Sequence, residues 1–301
     1  MTAATKDRAE RRDIHAEITN KLIAAIESDP GRPALPWRRS SAPLFMPENA
    51  LNKKPYNGIN IVSLWVSAEA QSFTAPVWAT YRQWCELGAQ VRKGEKSSMV
   101  IFYKEYETDP SPDVADDDGK RRVVRASHVF NASQVDGFDL PAAPERLGPV
   151  ERIEAADRFI QNTGARIEHG GERAFYRPST DHIQMPDEGL FCGTATMNRS
   201  EAYFAVLAHE CLHWSGSEKR LNREFGKRFG DAQYAAEELV AEIGGAFLCA
   251  ELGITQDVRA DHAQYLANWL TLLKNDSRAI FTAAAKASEA VAYLKKLQAP
   301  L

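Results

Sequence analysis

Cysteine is scarce in this chain. Only Cys85, Cys192, Cys211 and Cys249 occur in 301 residues, and none stands in C-x-x-C spacing. That excludes a disulfide scaffold and points to a reducing compartment, the cytoplasm. Long apolar runs are lacking too. No stretch approaches the ~18 residues that a membrane span needs. The opening MTAATKDRAERRDIHAEITN is highly charged and has no apolar h-region, so no secretory signal is expected. Internal repeats are absent. What is present, 44% hydrophobic and 26% charged residues, is the make-up of a soluble globular protein. The length suffices for two domains with substantial cores.

The net charge of -4 divides unevenly. Residues 1–104 carry 15 Lys and Arg against 10 Asp and Glu, and the remainder carries 22 against 31. A basic front and an acidic back suggest two tasks, with a polyanion as a candidate partner of the front. The boundary is legible. DPSPDVADDDGK (109–120) reads as a solvated acidic loop between two β-rich stretches, 99–107 and 121–135. DGFDLPAAPERLGP (136–149) reads as a linker. The expected fold class is α+β. A mixed helix-and-sheet domain should occupy residues 1–140, and a mostly helical domain with a small sheet 150–301.

The first domain should open with a one-faced helix, since Ile14, Ile18, Leu22, Ile23 and Ile26 recur at spacings of three and four. A second helix is expected from Gly58 or Asn60, and a third over Ala79 to Glu86. Aromatic and basic residues interleave throughout, as in Trp37-Arg38-Arg39, Lys53-Lys54-Pro55-Tyr56 and Tyr81-Arg82. Four of the six tryptophans (Trp37, Trp65, Trp78, Trp84) lie here. Cations that follow phosphates and aromatic faces that stack bases hold single-stranded nucleic acid. The alternative is a tryptophan core with solvated charges.

The second domain carries a sharper signal. His209-Glu210-Cys211-Leu212-His213 is an H-E-x-x-H pattern inside an apolar helix, with Ser200 as candidate N-cap and Gly216 as stop. Residues i and i+4 share a helix face, so both imidazoles can reach one metal ion. Glu210 stands where a general base would accept a proton from water. Catalytic zinc needs a third protein ligand, and DAQYAAEELVAEIGGAFLCAEL offers Glu237, Glu238 and Glu242. Helix-face geometry favours Glu238, then Glu242, then Glu237. Ala235, Ala241 and Gly245 allow close helix packing. The spacing resembles the gluzincin arrangement, which implies Glu238 as ligand and Glu242 as the carboxylate orienting a ligand histidine. Zinc is the expected metal, though two His and one Glu also suit Mn2+ or Co2+.

Upstream, 174–191 reads as a hairpin with a strand at 181–185. Zincins resemble this in placing an edge strand beside the active-site helix. His182 is a candidate polar group there, with an exposed strand residue as the plainer reading. Tyr234 is a candidate for the oxyanion. The tail helix SRAIFTAAAKASEAVAYLKKLQ should pack on the domain.

HECLHWSGSEKRLNR followed by YAAEELVAEIGGAFLCAELG resembles the zincin-like C-terminal domain of the ArdC antirestriction family. PW (36–37), PENALNKKPYNGINIVSLW (47–65) and WATYRQWCELGAQVRKGEKS (78–97) resemble that family's N-terminal domain, which also fronts TraC-type plasmid primases. Ser215 departs from an expected threonine, while every proposed metal position is retained. The resemblance implies a plasmid-encoded protein that binds single-stranded DNA non-specifically and protects incoming conjugative DNA from host restriction. It implies a DNA-binding role for motif positions Trp37, Asn49, Tyr56, Asn60, Trp78, Tyr81, Arg92, Lys93 and Lys96. Two classes of function follow. One is a metallopeptidase tethered to single-stranded DNA, its prey a host restriction component, and the intact Glu210 favours it. The other is a DNA-binding protector with a non-catalytic metal site. A cytoplasmic peptidase with an interaction domain is a third reading, which predicts no DNA binding.

Overall fold

The protein is described here from a computed structural model. It places residues 13–28, 35–38, 44–107, 120–140, 149–194, 196–224, 232–255 and 262–298. The acidic loop at 109–119 and most of the linker (141–148) lie outside the described residues.

Helix α1 (Ile14–Glu27) starts where Asp13 caps the backbone N–H groups of His15 and Ala16, and it buries Ile18, Leu22, Ile23 and Ile26. A short strand β1 (Glu48–Asn49) leads to α2 (Ile59–Gln71). That helix opens at Gly58, whose φ of 53° suits glycine. Next come β2 (Val77–Thr80), α3 (Tyr81–Glu86), β3 (Gln90–Val91), β4 (Ser98–Glu107), β5 (Lys120–Asn131) and β6 (Val135–Asp136). Helix α3 starts two residues later than the sequence suggests, because Thr80 and Gln83 form a reciprocal cap. The four-stranded sheet has the order β1-β2-β5-β4, with β4 and β5 antiparallel. Helix α2 lies along the outer edge of β4. Asn60 accepts from Ile101 N–H at 2.7 Å and donates to Ile101 C=O at 2.8 Å, and Ser63 donates to Met99 C=O. These bonds satisfy an edge that would otherwise be open to other strands.

The second half holds α4 (Pro149–Thr163), β7 (Arg166–His169), β8 (Phe175–Arg177), β9 (His182–Met185), α5 (Arg199–Ser215), α6 (Ala232–Leu252), α7 (His262–Asn275) and α8 (Ala279–Lys296). Its three-stranded sheet has the order β7-β9-β8. Strand β9, expected as an edge, is therefore central, and β7 and β8 are the edges. The N-cap of α5 is Asn198, with Glu201 reciprocating, so Ser200 falls inside the first turn. Pro149, read as linker, is the first residue of α4, a position where its missing N–H costs nothing.

The two halves share one continuous apolar core. Trp65 of α2 meets Phe247 of α6 edge-on at 5.5 Å. Thr19 donates to Ser277 C=O at 2.7 Å, and Gly58 N–H to Ser288 Oγ at 2.9 Å. Helices α1 and α2 thus rest on α6, α7 and α8, and α8 packs into the core as its periodicity suggests.

Candidate metal centre

Helix α5 presents His209 and His213 one turn apart, and α6 lays Glu238 across them. Glycines make the approach close: at Gly245 a Cβ would lie 3.5 Å from the backbone of His209. His213 Nε2 is 3.2 Å from His209 Nε2 and 3.4 Å from Glu238 Oε1, and His209 Nε2 is 3.6 Å from Glu238 Oε2. Donors tetrahedrally arranged at ~2.0–2.1 Å from zinc stand roughly 3.3 Å apart, so the spacing fits one small divalent cation. Among the described residues, these three form the one group of His, Cys, Asp and Glu donors close enough to share an ion.

The surroundings orient the ring. His213 Nδ1 is 3.2 Å from Glu237 Oε1, so Nδ1–H donates outward and Nε2, once it has lost its proton, turns its lone pair toward the other donors. Arg223, 7% exposed, grips Glu237 through Nε at 3.0 Å and Nη2 at 2.8 Å. The contact that orients His213 thus comes from Glu237. At ~1.5 Å per residue, Glu242 lies roughly 6 Å farther along α6 than Glu238, where it is fully buried. Arg223→Ala leaves the buried Glu237 carboxylate without its guanidinium. A stability loss of about 3–5 kcal/mol and a 10–100-fold weaker metal affinity are expected, checked by denaturant titration and calorimetry.

Burial opposes charge on His213, yet the Glu238 and Glu237 carboxylates outweigh it and raise its pKa well above the ordinary imidazole value. Burial likewise acts to raise the Glu238 carboxyl, but the charges and hydrogen bonds of His213 and His209 hold it well below the usual range. An imidazolium cannot donate a lone pair, so metal uptake must expel the His213 proton. Metal affinity should therefore rise with pH and keep rising above the ordinary histidine range near ~6.5. A flat affinity between about pH 6 and pH 8 would contradict this.

Glu210, 6% exposed, sits on α5 directly after His209. The Tyr234 hydroxyl is 3.3 Å from that of Tyr265 and also bonds Glu238, so it already has partners beside the donors. His182 is buried, with Nδ1 2.7 Å from Thr180 Oγ1, and lies outside the donor group. The sequence offered it as an exposed strand residue, but the central position of β9 buries it. Helix α5 packs against β8 and β9. Arg220 ties that hairpin down by stacking 3.9 Å over Trp214 and pairing with Asp181.

The N-terminal candidates scatter. Trp37 and Trp78 are 2% and 1% exposed, so they are core residues and cannot stack bases. Asn60 is consumed by the β4 edge. Tyr56 is buried, with its hydroxyl 3.3 Å from Asn49 Nδ2. Asn49 caps the following turn through Leu51 and Asn52 N–H. Arg92 is tied to Glu95 at 2.9 Å and to Asp136 at 3.4 Å. Tyr81, Lys93 and Lys96 are exposed.

Comparison with known proteins places this geometry. The profile of a family described as the N-terminal domain of anti-restriction factor ArdC matches residues 12–135, and that of a zincin-like metallopeptidase matches 154–286. The crystal structure of the antirestriction protein ArdC from plasmid R388, metal-free, superposes with a TM-score of 0.75 at 38% identity. It covers 95% of this chain and 98% of that one. The chain belongs to the ArdC antirestriction family. The Mn(II)-bound structure of R388 ArdC gives a TM-score of 0.74. An uncharacterized protein of Sinorhizobium fredii, y4eC, is 44% identical over 92% of this chain and 90% of its own length. Escherichia coli DNA primase TraC is 36% identical, and the chain spans 27% of that longer protein.

In this ArdC-family chain, sequence reading missed Glu237 as the orienting carboxylate, and Arg223 altogether. The signal was the adjacent pair Glu237-Glu238 in an apolar helix. Neighbours ~100° apart on a helix reach the two nitrogens of one imidazole from different sides. Arg223 has no local signature, because its partner lies across a chain segment of fourteen positions.

Proposed function

We propose that this chain is a plasmid-borne antirestriction protein. Its N-terminal half binds single-stranded DNA, and its C-terminal half is a zinc-dependent peptidase centre. The observation that carries the reading is the 38% identity to R388 ArdC across 98% of that protein, together with the three convergent donors. Mn2+ and Co2+ suit the same donors.

When bound, a divalent ion supplies Lewis acidity toward a scissile carbonyl and toward water. His209, His213 and Glu238 hold the ion, and Glu237 with Arg223 keeps His213 in the donating tautomer. Glu210 takes the proton of the attacking water and returns it to the leaving amine. Strand β8, an edge of the three-stranded sheet packed against α5, offers main-chain pairing to an extended peptide. A host restriction component is the protein substrate this reading implies. Protection of transferred DNA is assigned to occupancy of its single strand.

Transfer of an unmodified plasmid tests the reading. Expression in a restricting recipient should raise transfer, and expression in an isogenic recipient lacking the restriction system should not. Equal transfer with and without the protein in the restricting recipient would overturn it.

A further inference from the structure

With Trp37 and Trp78 in the core, the bases of a bound strand need another seat. One groove supplies it, between the N-terminal sheet and α8. Its volume is about 1070 Å³, just above the ~300–1,000 Å³ range of small-ligand clefts. That is more room than a single base requires.

The floor follows from register. Asn49 pairs with Trp78, Thr80 and Ser98 both pair with Val129, and side chains alternate along each strand. Asn49, Thr80, Val129 and Phe102 therefore share one face, and all four line the groove. Phe102 is 50% exposed. Directly across the ladder from it stands Arg125, exposed on the same face. An open aromatic plane beside a guanidinium is the pairing that stacks a base and meets its phosphate.

The walls match that occupant. They include Lys54, the amide side chains of Asn52 and Asn57, and Ala285, Glu289 and Ala292 of α8. The exposed alanines leave space. The amides and the Glu289 carboxylate can hydrogen-bond base edges, and Lys54 suits a phosphate.

We infer that the bases of single-stranded DNA lie in this groove, with Phe102 as the stacking face and Arg125 at the adjoining phosphate. The inference rests on the single-strand-binding reading above. It makes the DNA seat a joint property of both halves, since α8 is one wall.

The test is fluorescence anisotropy of the full chain with an oligothymidine longer than the ~16 nucleotides of a large single-strand site. Phe102→Ala should weaken binding about tenfold or more, and Phe102→Trp should bind like wild type. Ala285→Trp, which fills the groove from the exposed face of α8, should weaken it as well. Circular dichroism checks that each variant is folded. Wild-type binding with undiminished affinity in folded Phe102→Ala and Ala285→Trp overturns the groove and leaves the DNA-binding reading intact. Absence of binding by the wild type overturns both. A wild-type dimer that dissociates in Phe102→Ala, with DNA affinity unchanged, makes the groove an interface between copies and overturns the proposal.

Discussion

Glu210→Gln should hold its divalent ion as tightly as the wild type and lose peptide hydrolysis. The side chain keeps its volume, so the helix that carries His209 and His213 is undisturbed. Glu210 is absent from the group of converging donors. What disappears is the carboxylate that accepts a proton, and general acid–base groups contribute about 10²–10⁴-fold to rate. The check is metal content by mass spectrometry beside hydrolysis of a peptide library by the wild type and the variant. Retained hydrolysis in the variant would remove Glu210 from the mechanism. The DNA affinity of this variant should equal that of the wild type, because the groove lies against α8 and not α5.

His213→Ala should abolish metal binding at micromolar concentrations. It removes one of three donors and strands the orienting pair, Glu237 with Arg223. Loss of an orienting partner alone typically costs 10–100-fold in affinity, and loss of the ligand itself should exceed that. The wild type should gain melting temperature on adding metal and the variant should not, since an ion bound only by the native state stabilises it by mass action. Calorimetric titration and a thermal scan with and without zinc check both points. An unchanged affinity would mean that the ion sits elsewhere.

Periodicity carried much of the architecture. The helices over Ile14–Glu27, Arg199–Ser215 and Ala279–Lys296 follow from apolar spacing, and the β4–β5 ladder from runs of β-formers. Placement across the sheet did not follow, because strand order is a tertiary fact. His182 looked like an edge residue and is central and buried. Tryptophan burial was also illegible: interleaved aromatic and basic residues look alike whether they stack bases or fill a core. Trp37, Trp78 and Trp84 fill cores, while Phe102, which no local pattern marks, is exposed. At the metal centre the H-E-x-x-H spacing and the gluzincin-like offset of Glu238 named the three side chains that converge. That Glu237 reaches His213 Nδ1 depends on the axial offset of α6 against α5, which spacing along one helix does not determine.

The central claim is that His209, His213 and Glu238 hold one divalent ion between α5 and α6. Anomalous diffraction from crystals of the full chain, grown with zinc and with manganese, tests it most directly. The account predicts one ion per chain, about 2.0–2.2 Å from His209 Nε2, His213 Nε2 and a Glu238 oxygen, with Glu237 on His213 Nδ1. An ion whose third protein ligand is Glu237 or Glu242, or no ion between these helices at full loading, would contradict it.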